Sequence, residues 1–374
     1  MHQNKNKTGE RKMPTLSLCM ILRDEEEVLA RCLDSVQAAV DEILLVDTGS
    51  ADRTKEIARQ YTEKIFDFAW KDDFSAARNY GISKAAGDYW MWLDADDVLS
   101  GPASRRLKCL KEELDPAVDV VMTPYGASFD REGRPVFTYY RERILKNCPQ
   151  SRFQGRVHEA AVPWGRVIRE NILVEHRPQK QKNHSRNLRI YETMKKEGAV
   201  FSGRDIYYYG RELAEHGQYR KAEKQFRLFL ERKDGWAEDR IEASRQLAYC
   251  LKAAGKGEEA LCALLESLRY DVPRAETCCA LGETFMERQE YRQAAYWFHQ
   301  ALAAGQQEDP DGFVFRDCRG YIPAINLCVC YDRMGDTRQA EIFNTLAGRY
   351  KPDDPAYLSN REYFEKKQIS VRGI

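Results

Sequence analysis

The sequence predicts an α/β domain built on a parallel sheet, followed by an all-α domain of stacked helical hairpins. Three observations predict it. Through the first hundred residues, short apolar runs alternate with helix-type periodicity, the pattern of parallel strands joined by crossover helices. Those runs end in polar turn residues, where open α/β sheets bind ligands. From about residue 205 only helical periodicity continues, and it carries a faint internal repeat.

Taken in order, residues 15–22 (TLSLCMIL) read as a buried strand, and Val28, Leu29, Cys32, Leu33 and Val36 recur at helical spacing. Residues 43–46 (ILLV) form a second strand. It runs into Asp47–Thr48–Gly49–Ser50–Ala51–Asp52–Arg53–Thr54, a turn rich in helix-capping types, before a helix to about Gln60. A third strand covers 65–68, a helix 75–86, and a fourth strand 89–93 leads into Asp94–Ala95–Asp96–Asp97. Segments 118–125, 136–145 and 166–176 are rich in β-formers and predict further strands, antiparallel ones. Residues 177–187 (RPQKQKNHSRN) predict a mobile basic loop. Residues 1–13 are polar and predict a disordered leader, which places the domains at 14–200 and 201–374.

The 374 residues suit two domains, and 43% hydrophobic with 32% charged is ordinary globular composition. Lys plus Arg equals Asp plus Glu at 59 each, which gives no support for nucleic-acid or acidic-membrane binding. No run reaches the roughly 18 apolar residues of a membrane span. Eleven scattered cysteines, several in apolar helical positions (Cys250, Cys262, Cys328), fit reduced core residues and a cytoplasmic protein.

In the helical half, Gly217, Gly255 and Gly335 each lie five residues before an alanine (Ala222, Ala260, Ala340), and Ala294 has Gln289 in the glycine slot. Four residues after each alanine come Phe226, Leu264, Phe298 and, as an exception, Asn344. A glycine at the turn, a small residue at the helix crossing and a large one a turn later are what a helix–turn–helix repeat needs. The pattern resembles degenerate tetratricopeptide (TPR) repeats, with alanine spacings of 38, 34 and 46 against an ideal of about 34. A generic bundle is the alternative. Tyr207, Tyr208, Trp236 and Trp297 read as aromatics available for dimerisation, or as fillers of helix crossings.

Two carboxylates one residue apart at a strand end, Asp94 and Asp96, can both reach one hard divalent cation, which neutralises a nucleotide diphosphate. Asp47, at the end of its own strand, can accept an N–H from a base. Ser50 and Asp52 equally serve as helix caps. Arg78 can contact base or diphosphate, and Asn79 can brace the strand ends.

Together, segments 46–54 (VDTGSADRT), 73–81 (DFSAARNYG) and 93–97 (LDADD), with Leu18–Asp24 ahead of them, resemble family-2 glycosyltransferases of the Rossmann-like GT-A fold. The resemblance covers about residues 14–180. It implies that Asp47 reads a uracil-type base with Arg78 and Asn79 nearby, that Asp94 and Ala95 approach the donor, and that Asp96 and Asp94 bind Mg²⁺ or Mn²⁺. A further match, Gly155–Arg156–Val157–His158–Glu159 followed by His176 and Arg186–Asn187, resembles the branch containing sublancin-type peptide S-glycosyltransferases. There it implies Glu159 as general base with His158 as orienter or substitute, and His176 as a further metal ligand. Arg177–Pro178 departs from that branch, which puts the donor-covering loop in doubt. Lys180, Lys182, Arg186 and Arg189 are candidates to fold over the diphosphate, with Arg141 and Arg143 as weaker ones.

The implied activity is metal-dependent, inverting transfer of a hexose from a UDP-sugar (UDP-glucose or similar) to Cys, Ser or Thr of a peptide or protein, in a bacterial cytoplasm. A cell-surface polysaccharide or lipid-core glycosyltransferase is the second reading. A helical-repeat adaptor with an inactive transferase domain is the third.

Overall fold

The computed structural model describes residues 13–179, 185–232, 235–305 and 312–372. Residues 1–12 of the expected leader, and Lys180 and Lys182, lie outside these. The chain divides into two compact units, Met1–Val200 and Phe201–Ile374.

The first unit begins with β1 (Leu16–Leu22), α1 (Leu29–Val36), β2 (Glu42–Asp47), α2 (Thr54–Ala58), β3 (Ile65–Asp67), α3 (Phe74–Ile82) and β4 (Tyr89–Trp92). It continues with β5 (Asp97–Leu99), α4 (Gly101–Glu113), β6 (Val120–Phe129), β7 (Pro135–Lys146), the short hairpin β8 (Phe153–Gln154) and β9 (Ala160–Ala161), β10 (Val167–Arg169), β11 (Val174–His176) and α5 (Ser185–Lys196). The sheet order is β3-β2-β1-β4-β7-β6-β11-β5, with β10 also on β6. The first four strands are parallel. β7 enters antiparallel to both β4 and β6.

β1 is covered on both faces, so it reads as a continuous apolar run rather than an alternation. Leu16, Leu18, Met20 and Leu22 pack on one side with Leu29, Cys32, Leu33 and Val36, the i, i+3, i+4, i+7 stripe of α1. Full burial of each such leucine contributes about 1.5–3 kcal/mol. The opposite side gathers Cys19, Leu44, Ile82, Trp90, Trp92, Leu145 and Phe153.

Several expectations need correction. The helix expected over 75–86 ends at Ile82. Residues 185–187, expected in a loop, open α5, whose Ile190, Tyr191 and Met194 are buried. Segment 166–176 is not antiparallel to β6. β10 and β11 both run parallel along the same edge of β6, and β11 is antiparallel only to β5. Residue alternation marks a strand but carries no sign of its direction. α4 shows only a thin apolar edge among many charges, Ala103, Leu107 and Leu110 at i, i+4, i+7, behind the Ser100 cap and Pro102 in its first turn.

The second unit stacks four helical hairpins: α6 (Gly203–Glu215) with α7 (Tyr219–Glu231), α8 (Ala237–Ala253) with α9 (Gly257–Glu266), α10 (Ala275–Glu287) with α11 (Tyr291–Ala304), and α12 (Tyr321–Arg333) with α13 (Thr337–Tyr350). α14 (Pro355–Arg372) follows. All four hairpin turns use the left-handed conformation, at Gly217 (φ 69°), Gly255 (75°), Gln289 (60°) and Gly335 (85°). They also close alike: Gln289 N–H donates to Met286 O (2.9 Å) and Glu290 N–H to Phe285 O (2.9 Å), as Gly217 and Gln218 do to Ala214 and Leu213 (2.9 and 2.8 Å). Ala222, Ala260, Ala294 and Ala340 are all buried. A Cβ on Gly282 would meet the Phe298 ring at 2.7 Å, and one on Gly210 the Phe226 ring at 2.9 Å, so the large residue of one helix needs the missing side chain of the other. Asn344 breaks the pattern because its Nδ2 donates to Tyr357 O on α14 (3.3 Å).

Tyr207 is not an exposed aromatic. It is fully buried against Tyr208, Phe226 and Phe229, while Trp236 is 53% exposed. Cys262, expected in the core, is exposed. All eleven cysteines are unpaired with one another, and Cys32, Cys278 and Cys330 serve as small core side chains. Among the described residues no helix is long and apolar enough to cross a membrane.

Candidate functional site

The site lies where β1, β2 and β4 end, side by side in the sheet. Register pairs Leu22 with Asp47 across β1 and β2, and Cys19 with Trp92 across β1 and β4. The loops leaving β1 and β2 are stitched together by their own polar side chains. Ser50 Oγ accepts from Asp24 N (3.0 Å), Asp24 Oδ1 accepts from Ala51 N (2.7 Å), Thr54 Oγ1 from Glu25 N (2.7 Å) and Asp52 Oδ2 from Glu26 N (3.1 Å). Asp24 is left-handed at φ 54° to make this fit. The carboxylates and hydroxyls of that motif therefore tie the β1 and β2 loops together.

Asp47 is 1% exposed, and its Oδ1 accepts from Gly49 N and Ser50 N (both 3.0 Å). Its Oδ2 is buried without a partner among the described residues. Burial pushes the Asp47 carboxyl up, but hydrogen bonds from Ser50 and Gly49 and the Lys55 ammonium (3.5 Å) more than offset that and hold it below the usual range.

α3 delivers two consecutive residues to different tasks. Asp73 caps the helix by accepting from Ala76 N, and Gly81 lies against β2, where a Cβ would meet Val46 at 2.9 Å. Asn79 then clamps Phe153 by both backbone groups, Nδ2 to Phe153 O and Phe153 N to Oδ1 (2.9 Å each). Arg78, 7% exposed, donates through Nε to Glu159 Oε1 and through Nη2 to Asp94 Oδ1, both at 2.6 Å. Its guanidinium lies 4.7 Å from the centre of Trp92 and 5.3 Å from that of Phe153. Burial disfavours the Arg78 charge, but Asp94 and Glu159 outweigh it and keep the group cationic. Asp94 answers in kind: burial works against its charge, and Arg78, then Arg143 and Arg141, hold its carboxyl below the usual range.

Asp96 and His176 meet at the end of β11, His176 Nδ1 lying 3.4 Å from Asp96 Oδ1 and 3.6 Å from Asp97 Oδ1. Ligand atoms of Asp96, Asp97 and His176 all lie within 4.8 Å of one another, the one such group found among the described residues. Two carboxylates and an imidazole are a donor set suited to Mn²⁺ or a similar divalent cation. Asp94 is not in this group; its Oδ1 accepts from Arg78 Nη2. Ala95, 4% exposed, turns its methyl into the core.

Asp97, the last residue of the LDADD segment, is a hub. It is 0% exposed and receives Asp94 N (3.1 Å), the Tyr125 hydroxyl (3.1 Å) and Arg143 Nη1 (3.3 Å). Arg143, 1% exposed, also donates to Trp92 O (3.2 Å) and stacks on the Trp92 ring at 3.9 Å. Arg141 lies over the same ring at 4.8 Å. The signal in the sequence was a third acid immediately after the D-x-D and the charged trio Arg141–Glu142–Arg143 inside a strand, just before the apolar Ile144–Leu145.

The segment carrying Glu159 turns sharply, with Gly155 at φ 95° and His158 at φ 51°. The His158 ring lies parallel to Tyr191 of α5 (6.4 Å, 17°), while Phe74 N donates to Arg156 O (2.9 Å). Arg186 packs over Phe74 at 4.7 Å; burial pushes its guanidinium down, with Glu159 and Asp94 acting the other way. Arg189 is engaged elsewhere, bidentate to Asp72 (2.7 and 2.8 Å). Arg177 pairs with Glu175 and stacks on Phe129 at 3.6 Å.

The mixed sheet, with its parallel half leading, is that of a GT-A-like domain. Residues 17–175 match the model of glycosyl transferase family 2, so this segment is a family 2 glycosyltransferase domain, followed here by a TPR-like helical domain. The chain is 43% identical over 148 residues to a TPR repeat-containing protein of Synechococcus elongatus, covering 39% of this chain and 35% of that protein. It is 26% identical over 164 residues to the SPbeta prophage-derived glycosyltransferase SunS of Bacillus subtilis, covering 43% of this chain and 38% of SunS. The chain thus spans little more than a third of the length of these relatives. Among solved structures, glucosyl-3-phosphoglycerate synthase from Mycobacterium tuberculosis is 14% identical with a TM-score of 0.36, over 51% of this chain and 81% of that one.

Proposed function

We propose that this chain is an inverting glycosyltransferase moving a hexose from a UDP-type sugar nucleotide to a Cys, Ser or Thr side chain of a peptide or protein. The observation that carries this is the convergence, at adjacent strand tips, of the Asp96/Asp97/His176 cluster, a candidate cation site, with the Asp94–Arg78–Glu159 network. Bound there, Mg²⁺ or Mn²⁺ supplies positive charge to a departing diphosphate.

The chain's own residues do the rest. The buried Asp47 Oδ2 receives the N–H of the uracil-type base. Glu159, engaged by Arg78 through Oε1 only, takes the acceptor proton on its other oxygen. The acceptor's lone pair forms the new bond at the anomeric carbon from the face opposite the diphosphate. The old C–O bond breaks, its electron pair leaves with the nucleotide, and configuration inverts. The acceptor class rests on the resemblance to peptide-modifying members and on the repeat domain, since stacked hairpins offer extended surfaces to peptides.

A donor screen tests the reading: UDP-sugars with Mn²⁺ or Mg²⁺, followed by mass spectrometry of cysteine- and serine-containing peptides. A hexose mass gained on peptide supports it. Transfer only to glycan or lipid acceptors assigns the polysaccharide role instead, and no turnover of any donor returns the chain to a binding role.

A further inference from the structure

We propose that Arg78 is the positioning residue of the transfer reaction, one buried guanidinium that fixes the candidate base, Glu159, in register with the donor-side carboxylate, Asp94. The inference rests on the transferase reading and goes beyond it, since the sequence pattern places Arg78 only near base or diphosphate.

Four observations carry it. Both contacts are short, 2.6 Å each, and they use different nitrogens, Nε and Nη2, so one rigid plane sets the separation of the two carboxylates. The plane itself is held by Trp92 and Phe153. Phe153 is in turn fixed to α3 by Asn79, the residue next to Arg78. Helix, β8–β9 hairpin and β4 tip are therefore locked through adjacent side chains of one helical turn. Finally, Arg78 Nη1 is buried without a partner among the described residues. A guanidinium that spends two nitrogens on carboxylates and buries a third unsatisfied carries a desolvation cost that an incoming oxygen relieves. We assign that place to an oxygen of the transferred sugar, a group that UDP alone does not carry. Donor binding would then stiffen the same fork that aims the base.

Lysine keeps the charge but offers one nitrogen, which cannot hold two carboxylates in a fixed plane. The test uses the full chain as wild type, R78K, E159Q and R78K/E159Q, all checked for cooperative unfolding. For R78K we expect kcat for transfer to fall about 10–100-fold, the scale of an ångström-level misplacement, while UDP affinity with Mn²⁺ changes less than about threefold. In the E159Q background the same change should alter residual transfer by less than about threefold, because Arg78 acts through Glu159. Equal loss in both backgrounds, or UDP affinity falling in step with kcat, overturns the proposal. Should R78K not fold, 15N-arginine labelling of the wild type, D94N and E159Q replaces it. One exchange-protected side-chain N–H signal should respond to both substitutions, and none responding overturns the proposal. Absence of any transfer by the wild type would instead defeat the transferase reading, and the labelling result would still stand on its own.

Discussion

Replacing Arg143 by methionine probes the scaffold beneath the cation site. Arg143 and Asp97 form an ion pair at 3.3 Å with side chains 1% and 0% exposed. Methionine fills much of the same volume, so the loss is mainly electrostatic. Stripping one partner from a buried pair costs about 3–5 kcal/mol, because the other charge stays desolvated. Asp97 keeps the Tyr125 hydroxyl and Asp94 N–H, which places the expected cost near the lower end. Urea unfolding followed by tryptophan fluorescence, which reports the buried Trp90 and Trp92, should show a loss of about 3 kcal/mol for R143M. The same substitution in a D97N background should cost clearly less, since no buried carboxylate is then stranded. An R143M chain within about 1 kcal/mol of wild type, or an equal cost in both backgrounds, would show that the hub is not held by this pair.

Three further outcomes follow from individual residues. Gln289→Gly should stabilise the repeat domain by about 0.5–1 kcal/mol, the left-handed strain relieved less the entropy glycine loses, with Gly255→Gln as the converse, since a Cβ there meets nothing within 4 Å; urea midpoints decide, and a destabilising Q289G would contradict the strain argument. Burial, assisted by Glu242, pushes Glu276 up to about 7 despite Arg245 and Arg319. Its folded-state pKa lies above the unfolded value, so its contribution is full below about pH 4 and is lost as pH rises through about 7; E276Q should gain on wild type by up to about 3 kcal/mol between pH 5 and 8, and a pH-independent difference in urea stability would be the contrary result. His176→Ala should weaken Mn²⁺ binding in calorimetry about tenfold or more while leaving UDP binding without metal unchanged; unchanged Mn²⁺ affinity would remove His176 from the ligand set.

Much of this molecule is legible in its sequence where periodicity and burial coincide. The stripe Leu29, Cys32, Leu33, Val36 could only be a helix packed on a sheet, and the run at β1 only a strand covered on both sides. The glycine–alanine–phenylalanine spacing foretold the hairpins, down to Gln289, which adopts the glycine conformation without being glycine. Three kinds of feature stayed hidden. Strand direction is not written in alternation, hence β10 and β11. Charged helices with a thin apolar edge, such as α4, look like loops. Long-range pairing of charges is invisible until the chain folds: Arg78 lies 81 residues from Glu159, and Arg189 lies 117 from Asp72. Residue types at strand ends named most of the candidates, but only the folded geometry shows which of them pair with one another.

Mn²⁺-dependent turnover of UDP-hexose by the wild type and by Asp96→Ala tests directly the proposal that a cation is held at the strand tips beside Asp94. The wild type should consume donor only with metal present, and the alanine variant should lose at least about a hundredfold of that rate, several kcal/mol of lost charge stabilisation. Metal-independent turnover, or an alanine variant as fast as wild type, would contradict it.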